Sequence, residues 1–452
     1  MKTRRYFSVF LLVALLISLF ASPPAAALDS MDVAAKAALL VDEKTGTVLY
    51  AKNEHQELYP ASLTKIMTAL LVLDAVDSGK LSLDQEITAS ASAFDGLADD
   101  GSTAGIKPGE TLTVQELLDC MLVVSANEAC AILAEAVSGS VSDFVDAMNA
   151  EAQELGCKNT HFVNPTGLHD PQHYTSAWDL YLITKEALTH KEFLPICDSA
   201  EVMIPATNLS AQRTLHTTNY LLSSFRAVGY VDKEAQGIKT GSTSEAGHCL
   251  VSTATRGSLS LISVVLGAQA VTLENGKTQV QSFSETSRLF DWGFDNFSYQ
   301  TVLKKDDVLS EVPVSLSREV SYVTVHPQSD VELLLPNDVK PEDLEKTVTL
   351  TNPTAEAPIA AGDPLGEVSL SYQGTTYATV PLLALNDVAA SRILVLWHNI
   401  QLFFSRTIVK IAAIALGALI VVLLLWKLTV GRRRYRAGRS VRRRSGYRGR
   451  RR

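Results

Sequence analysis

The stretch YPASLTKIMTALLVLD (residues 59–74) is apolar along most of its length, yet it carries Ser62 and Lys65 three residues apart near its start. From Pro60 to about Val76 the pattern is helical. Ala69, Leu70, Leu71, Val72 and Leu73 leave no broad polar face, so the spacing predicts a helix buried all round. A lysine carried inward by such a helix needs a reason. One helical turn puts residues three apart on the same face, so the Lys65 amine reaches the Ser62 hydroxyl. Free backbone N–H groups at a helix start favour negative charge developing on that serine. Desolvation lowers a lysine pKa, which lets the amine act as a base. The same pair also fits an N-cap serine followed by a surface lysine, and alone it decides nothing.

Two further segments share that ambiguity. In VVSANEA (residues 123–129), Ser125 and Asn127 would point to nearly opposite sides of a continuous helix, whereas a break between two helices aims both into one cleft. GIKTGST (residues 237–243) reads as a strand on which Lys239 offers a fixed positive charge and Gly241 lets another backbone lie close. A substrate could add there as an extra strand with its carboxylate held by the lysine. The plainer readings are a helix cap and a turn with a solvated lysine.

Around these segments, AAKAALLVDEKTGTVLYAKNEH predicts a hairpin turning at Lys44-Thr45-Gly46. Residues 95–111 read as a polar, glycine-rich loop, and further helices follow, one of them capped by Thr175 or Ser176. Two or three strands are expected after residue 236, then a closing helix in QSFSETSRLFDWGFDNF. From about residue 298 to 387, short alternating segments between turn signals predict a small all-β domain. His169, Asp170 and His173 in HDPQH have metal-like spacing, but no third ligand cluster accompanies them, and no metal or cofactor is expected. The five cysteines form an odd set without CxxC pairs and read as small buried residues.

The ends are of another kind. A basic start, an apolar run from about Phe7 to Phe20 and Ala25-Ala26-Ala27 predict a secretory signal cleaved before Leu28. Residues 408–426 form a 19-residue stretch broken only by Lys410 and otherwise free of charge, about 28 Å as a helix against a hydrocarbon core of about 30 Å. Lys410 lies near enough to one end to snorkel outward. Residues 431–452 then hold 12 arginines and no acid, read as a cytoplasmic stop-transfer tail rather than a nucleic-acid tail. Residues 28–405 hold all 49 acids and 22 of the 40 basic residues, a formal charge of −27 that argues against nucleic acid as a partner.

Taken together and in order, S-x-x-K, S-x-N and K-T-G on helix, loop and strand form the set shared by penicillin-binding proteins and class A β-lactamases. LLVDEKTGTVLYAKN, YPASLTKIMTALL, LLVVSANEACAILAE, FVDAMNAEAQELGCKNTHFVNPTGLHD and GIKTGSTSEAGHCLV resemble the low-mass penicillin-binding D-alanyl-D-alanine carboxypeptidases, serine peptidase family S11. The stretch ending PLGEVSLSYQGTTYATVPLLAL resembles that family's second domain, so the likeness covers about residues 31–390. The resemblance implies an α/β (α+β) fold: a penicillin-binding, serine β-lactamase-like catalytic domain with an antiparallel sheet and a helical subdomain. A small all-β domain and a transmembrane helix would follow. The expected divisions are residues 1–27 (signal), 28–297 (catalytic), 298–388 (β-rich), 389–407 (juxtamembrane), 408–426 (span) and 427–452 (tail).

The resemblance further implies Ser62 as acyl-ester nucleophile, Lys65 as its base, Ser125 as proton relay to the leaving amine, and Asn127 as substrate-positioning. Lys239 and Thr240 would bind the substrate carboxylate, and backbone N–H groups of Ser62 and Ser242 would form the oxyanion hole. The implied partners are peptidoglycan stem peptides and, as inhibitors, β-lactams; no protein partner of the β-rich domain is legible. A D,D-endopeptidase of the same family and a catalytically silent scaffold are the alternatives. A β-lactamase is disfavoured because no E-x-x-L-N-type segment supplies a deacylating glutamate. Three departures stand out. Ala235-Gln236 precede Gly237 where relatives often have an aspartate, Ser242 stands where some have histidine, and a membrane span follows where an amphipathic anchor is usual.

Overall fold

The computed structural model describes residues 31–97, 101–274 and 276–439. The expected signal segment, and the arginine tail from residue 440 onward, lie outside the described residues. Two compact units divide the chain. The first runs to Val302 and adds Glu332–Leu344 and Ser371–Tyr377; the second takes Leu303–Val331, Glu345–Leu370 and the chain from Ala378.

The first unit opens with the expected hairpin, β1 (Ala37–Asp42) and β2 (Val48–Lys52), turning at Gly46 with φ +73°. The helix expected from Pro60 begins later. Ala61–Thr64 form a 3-10 turn, and α1 spans Lys65–Asp77. Ala61 takes a left-handed φ of +48°, which an α-helix cannot contain. Every α1 residue from Lys65 to Ala75 except Leu71 and Asp74 is buried, so the absence of a polar face did mark an interior helix.

A short pair, β3 (Glu86–Thr88) and β4 (Thr111–Thr113), leads to α2 (Val114–Val123), which Thr113 and Glu116 start with a capping box. The chain breaks before α3 (Asn127–Ser138), and α4 (Val141–Glu154) follows. Ser176, one of the two expected caps, starts α5 (Ala177–Ala187) by accepting from the Asp179 N–H. Then come α6 (Phe193–Cys197) and a hairpin of β5 (Glu201–Ile204) and β6 (Arg213–His216).

Three long antiparallel strands, β7 (Ala235–Thr243), β8 (Gly247–Arg256) and β9 (Leu259–Ala268), complete a five-stranded sheet in the order β2-β1-β9-β8-β7. The small pair β10 (Ala270–Thr272) and β11 (Thr278–Val280) precedes α7 (Gln281–Asn296), the closing helix. Neighbouring β1 residues serve opposite cores. Leu39 and Val41 pack with Ile66, Met67 and Leu70 of α1, whereas Ala38 and Leu40 pack with Leu289, Phe290 and Phe294 of α7. Helices thus cover both faces of the sheet. That is why its strands read as apolar runs rather than as alternation.

β12 (Phe297–Leu303) ends the continuous part of the first unit. Farther along lie β13 (Ser310–Ser315), β14 (Tyr322–Pro327), β15 (Val331–Pro336), β16 (Glu345–Leu350), β17 (Ala355–Glu356), β18 (Pro364–Tyr372) and β19 (Thr375–Ala384). β12 pairs with β15, and the others form a six-stranded sheet in the order β16-β18-β19-β14-β13-β17. The all-β character expected from the turn-punctuated texture is present.

Two helices follow in the second unit, α8 (Arg392–Ser405) and α9 (Thr407–Arg439). Within α9, Thr407–Leu428 is a 22-residue stretch of mean hydropathy 2.9, none of it buried, long and apolar enough to cross a membrane.

Candidate active site

Three segments that are far apart in the sequence meet in the first unit: the 3-10 turn before α1, the break between α2 and α3, and the edge strand β7. They line a cavity of about 220 Å³ that includes Ser62, Ser125, Thr218, Thr240, Gly241 and Ser242.

Ser62 is half-buried, and Lys65, at the first position of α1, is fully buried. The Lys65 Nζ lies 3.0 Å from Ser62 Oγ, 2.9 Å from Asn127 Oδ1 and 2.6 Å from the Thr166 carbonyl oxygen. As an ammonium it donates to all three. As a free amine its two protons suffice for Asn127 and Thr166, which leaves the lone pair directed at the Ser62 hydroxyl. Burial pulls the Lys65 pKa below its ordinary value, with Cys130 and Glu128 acting in the opposite sense.

The break between the helices does what the S-x-N spacing required. Ser125 takes a left-handed φ of +68°, and the Ala126 N–H turns back to the Cys120 carbonyl. Ser125 and Asn127 are both almost fully buried, Asn127 on Lys65, while the Ser125 hydroxyl has no partner within the protein. A buried hydroxyl left unpaired on a cavity wall is ready for a group that enters the cavity. Behind the break, Glu128 Oε1 accepts from Thr103 Oγ1 at 2.7 Å and from the Ala104 N–H at 2.8 Å, and Ser102 O accepts from the Asn127 N–H. This pins the loop that brings Ser102 to the cavity.

On β7, Gly241 does allow a close backbone approach, and the backbone in question is the protein's own. A Cβ there would stand 2.8 Å from Pro60 O and 3.1 Å from Ser62 N. Thr240 Oγ1 is 2.6 Å from Thr218 Oγ1, and Ser242 is exposed at the mouth. Lys239 is not the solvated lysine of the plainer reading, and its charge is not permanent either. It is 1% exposed, donates to the Thr240 carbonyl at 3.1 Å, and has its pKa pulled to about 7 by burial and then by Lys65. Two buried ammonium groups close together disfavour one another's charge.

The sequence reading missed Thr166, which acts through a main-chain oxygen, and Thr218, which no spacing marks. A partial signal existed for the first. In N-P-T-G, Asn164 Oδ1 accepts from the Thr166 and Gly167 N–H groups, a side-chain-stabilised turn. The HDPQH residues do not converge on a metal. His173 is buried and hydrogen-bonded through both ring nitrogens, His169 lies edge-on to Tyr59, and among the described residues no group of three or more His, Cys, Asp or Glu could hold an ion. All five cysteines are free thiols, and four of them are buried.

A model of the D-alanyl-D-alanine carboxypeptidases, peptidase S11, matches residues 22–270, and one of the penicillin-binding protein 5 C-terminal domain matches residues 297–390. The D-alanyl-D-alanine carboxypeptidase DacF of Bacillus subtilis is 32% identical over 354 residues, 78% of this chain and 86% of that protein. A D-alanyl-D-alanine endopeptidase of Pseudomonas aeruginosa is 32% identical over 246 residues, 54% of this chain and 75% of that protein. The crystal structure of penicillin-binding protein 5 from Haemophilus influenzae matches with a TM-score of 0.62 at 30% identity, covering 80% of this chain and 99% of that one.

Proposed function

This chain belongs to the D-alanyl-D-alanine carboxypeptidase family, and we propose that it releases the terminal D-Ala of peptidoglycan stem pentapeptides through an acyl-enzyme on Ser62. The observation that carries this reading is the Lys65 amine, buried and 3.0 Å from Ser62 Oγ, with Asn127 and Thr166 as its other acceptors. Lys65 takes the hydroxyl proton as Ser62 attacks the carbonyl carbon of the penultimate D-Ala. The carbonyl oxygen, now negative, is held by the backbone N–H groups of Ser62 and Ser242, a role supported by the close packing of Gly241 against Ser62 N. Ser125 passes a proton to the departing amine, and water then hydrolyses the ester. Lys239, Thr240 and Thr218 receive the terminal carboxylate. β-Lactams acylate the same serine.

The membrane reading has separate support. Thr407–Leu428 spans about 33 Å as a helix. α8 exposes Ile393, Leu396, Trp397, Ile400 and Phe403, which suits it to the interface ahead of the span. With a signal at residues 1–27 and arginines after the span, residues 28–407 lie outside the cytoplasm, divided at about residue 297 into a catalytic and a β-rich domain.

The test is D-Ala release from a synthetic pentapeptide by the purified chain in detergent, run beside a cross-linked peptide dimer. Release from the pentapeptide is the expected result. Cleavage of the dimer alone would establish the endopeptidase, and no turnover of either would leave the silent scaffold.

A further inference from the structure

The turn that carries Ser62 is strained, and something must hold it. Ala61, directly before the nucleophile, is a non-glycine residue at φ +48°, a conformation that persists only where its surroundings impose it. Its carbonyl accepts from Thr64 Oγ1 at 2.9 Å, and Thr64 Oγ1 lies 2.8 Å from His173 Nε2. The other ring nitrogen, His173 Nδ1, accepts the Val163 N–H at 3.1 Å. These contacts fix every proton in the chain. Nδ1 is an acceptor and carries no proton, so the neutral ring has its proton on Nε2 and donates it to Thr64 Oγ1. The Thr64 proton is then free for Ala61 O. His173 is 2% exposed, its ring edge-on to Phe162.

We propose that His173 is a positioning residue: as the neutral Nε2–H tautomer, it locks the Ala61–Thr64 turn through Thr64 and so holds Ser62 Oγ in line with Lys65. The inference rests on Ser62 being the nucleophile, and it gives the second histidine of HDPQH a function other than metal binding. Protonation of Nδ1 would set two N–H groups against each other at Val163. Burial opposes that first and holds the imidazole pKa at about 4; His161, His169 and Lys65 act in the same sense and Asp170 against it.

The full-length chain in detergent provides the test, with fluorescent penicillin as the acylating probe. Glutamine can accept from Val163 and donate to Thr64, so His173→Gln should keep the acylation rate within about threefold. His173→Leu and Thr64→Val break the relay and should each lower that rate about tenfold or more, with much less change in the affinity of the pre-acylation complex. A purely structural role would lower the melting temperature without this split. Wild-type rates in Thr64→Val, or equal losses in His173→Gln and His173→Leu, would overturn the proposal, and Thr64→Val alone decides if His173→Leu does not fold. Spectra of the 15N-labelled imidazole judge the relay independently of activity. An Nε2–H tautomer that stays neutral to about pH 4 supports it, and an Nδ1–H tautomer, or titration near the ordinary value of about 6.5, sinks it. A parent chain that takes no penicillin on Ser62 would overturn the nucleophile assignment and leave the relay to the spectra.

Discussion

Lys239 is where residue-scale chemistry departs most from what K-T-G suggests. The motif names the residue and its strand, but burial beside Lys65 is a property of the fold, and it brings the pKa to about 7. A lysine lowered in this way is charged below that pH and neutral above it. Carboxylate recognition by the free enzyme should therefore fade as pH rises, so kcat/KM for a pentapeptide should fall above about pH 7. An ester substrate lacking the carboxylate should show no such fall. A charge-assisted hydrogen bond is worth about 1.5–3 kcal/mol, and about 1.4 kcal/mol is a factor of ten. Lys239→Gln should therefore lower kcat/KM for the pentapeptide about ten- to a hundredfold and spare the ester, and equal losses on both would refute carboxylate binding as its main role. Ser62, Lys65, Ser125 and Asn127 were legible because the ordered motifs are written in side chains, and the structure brings them together: Lys65 hydrogen-bonds Ser62 and Asn127, and Ser62 and Ser125 line one cavity. The Thr166 carbonyl was not, because every residue has one.

At the scale of elements, the site is a junction of backbones. Gly241 is required where β7 passes the turn before α1. In Gly241→Ala, the new Cβ would meet Pro60 O at 2.8 Å, and backbone at that distance must move. Acylation by penicillin should slow about a hundredfold, since a displacement near 1 Å at a reacting group costs about that much. Rates within twofold of the parent would show that the strand and turn do not need this contact. The buried helix α1 could be read from its lack of a polar face, and the break before α3 from the S-x-N spacing. The 3-10 turn could not, because the left-handed Ala61 is imposed by its neighbours: a Cβ on Gly167 would stand 1.8 Å from Ala61 O. β3, β4 and β5 are three or four residues long, too short for a period to show.

Across the whole molecule, charge is segregated along the chain, with acid ahead of the apolar helix and 12 arginines after residue 430. If the first part lies outside the membrane, protease added to spheroplasts should remove it and spare a tag at Arg452. Loss of the tag under those conditions would reverse the orientation. The long apolar helix was visible in composition, and the all-β domain in its alternating segments between turn signals. The grouping of Glu332–Leu344 with the first unit was not, because it depends on pairing between β12 and β15, which no local pattern records. The proposed function comes down to one chemical event, the transfer of an acyl group to a single oxygen. Peptide mapping by mass spectrometry after treatment of the full chain with penicillin reads that event directly. The adduct should lie on Ser62 and vanish in Ser62→Ala, whereas an adduct on Ser125 or on any cysteine would contradict the assignment on which the mechanism stands.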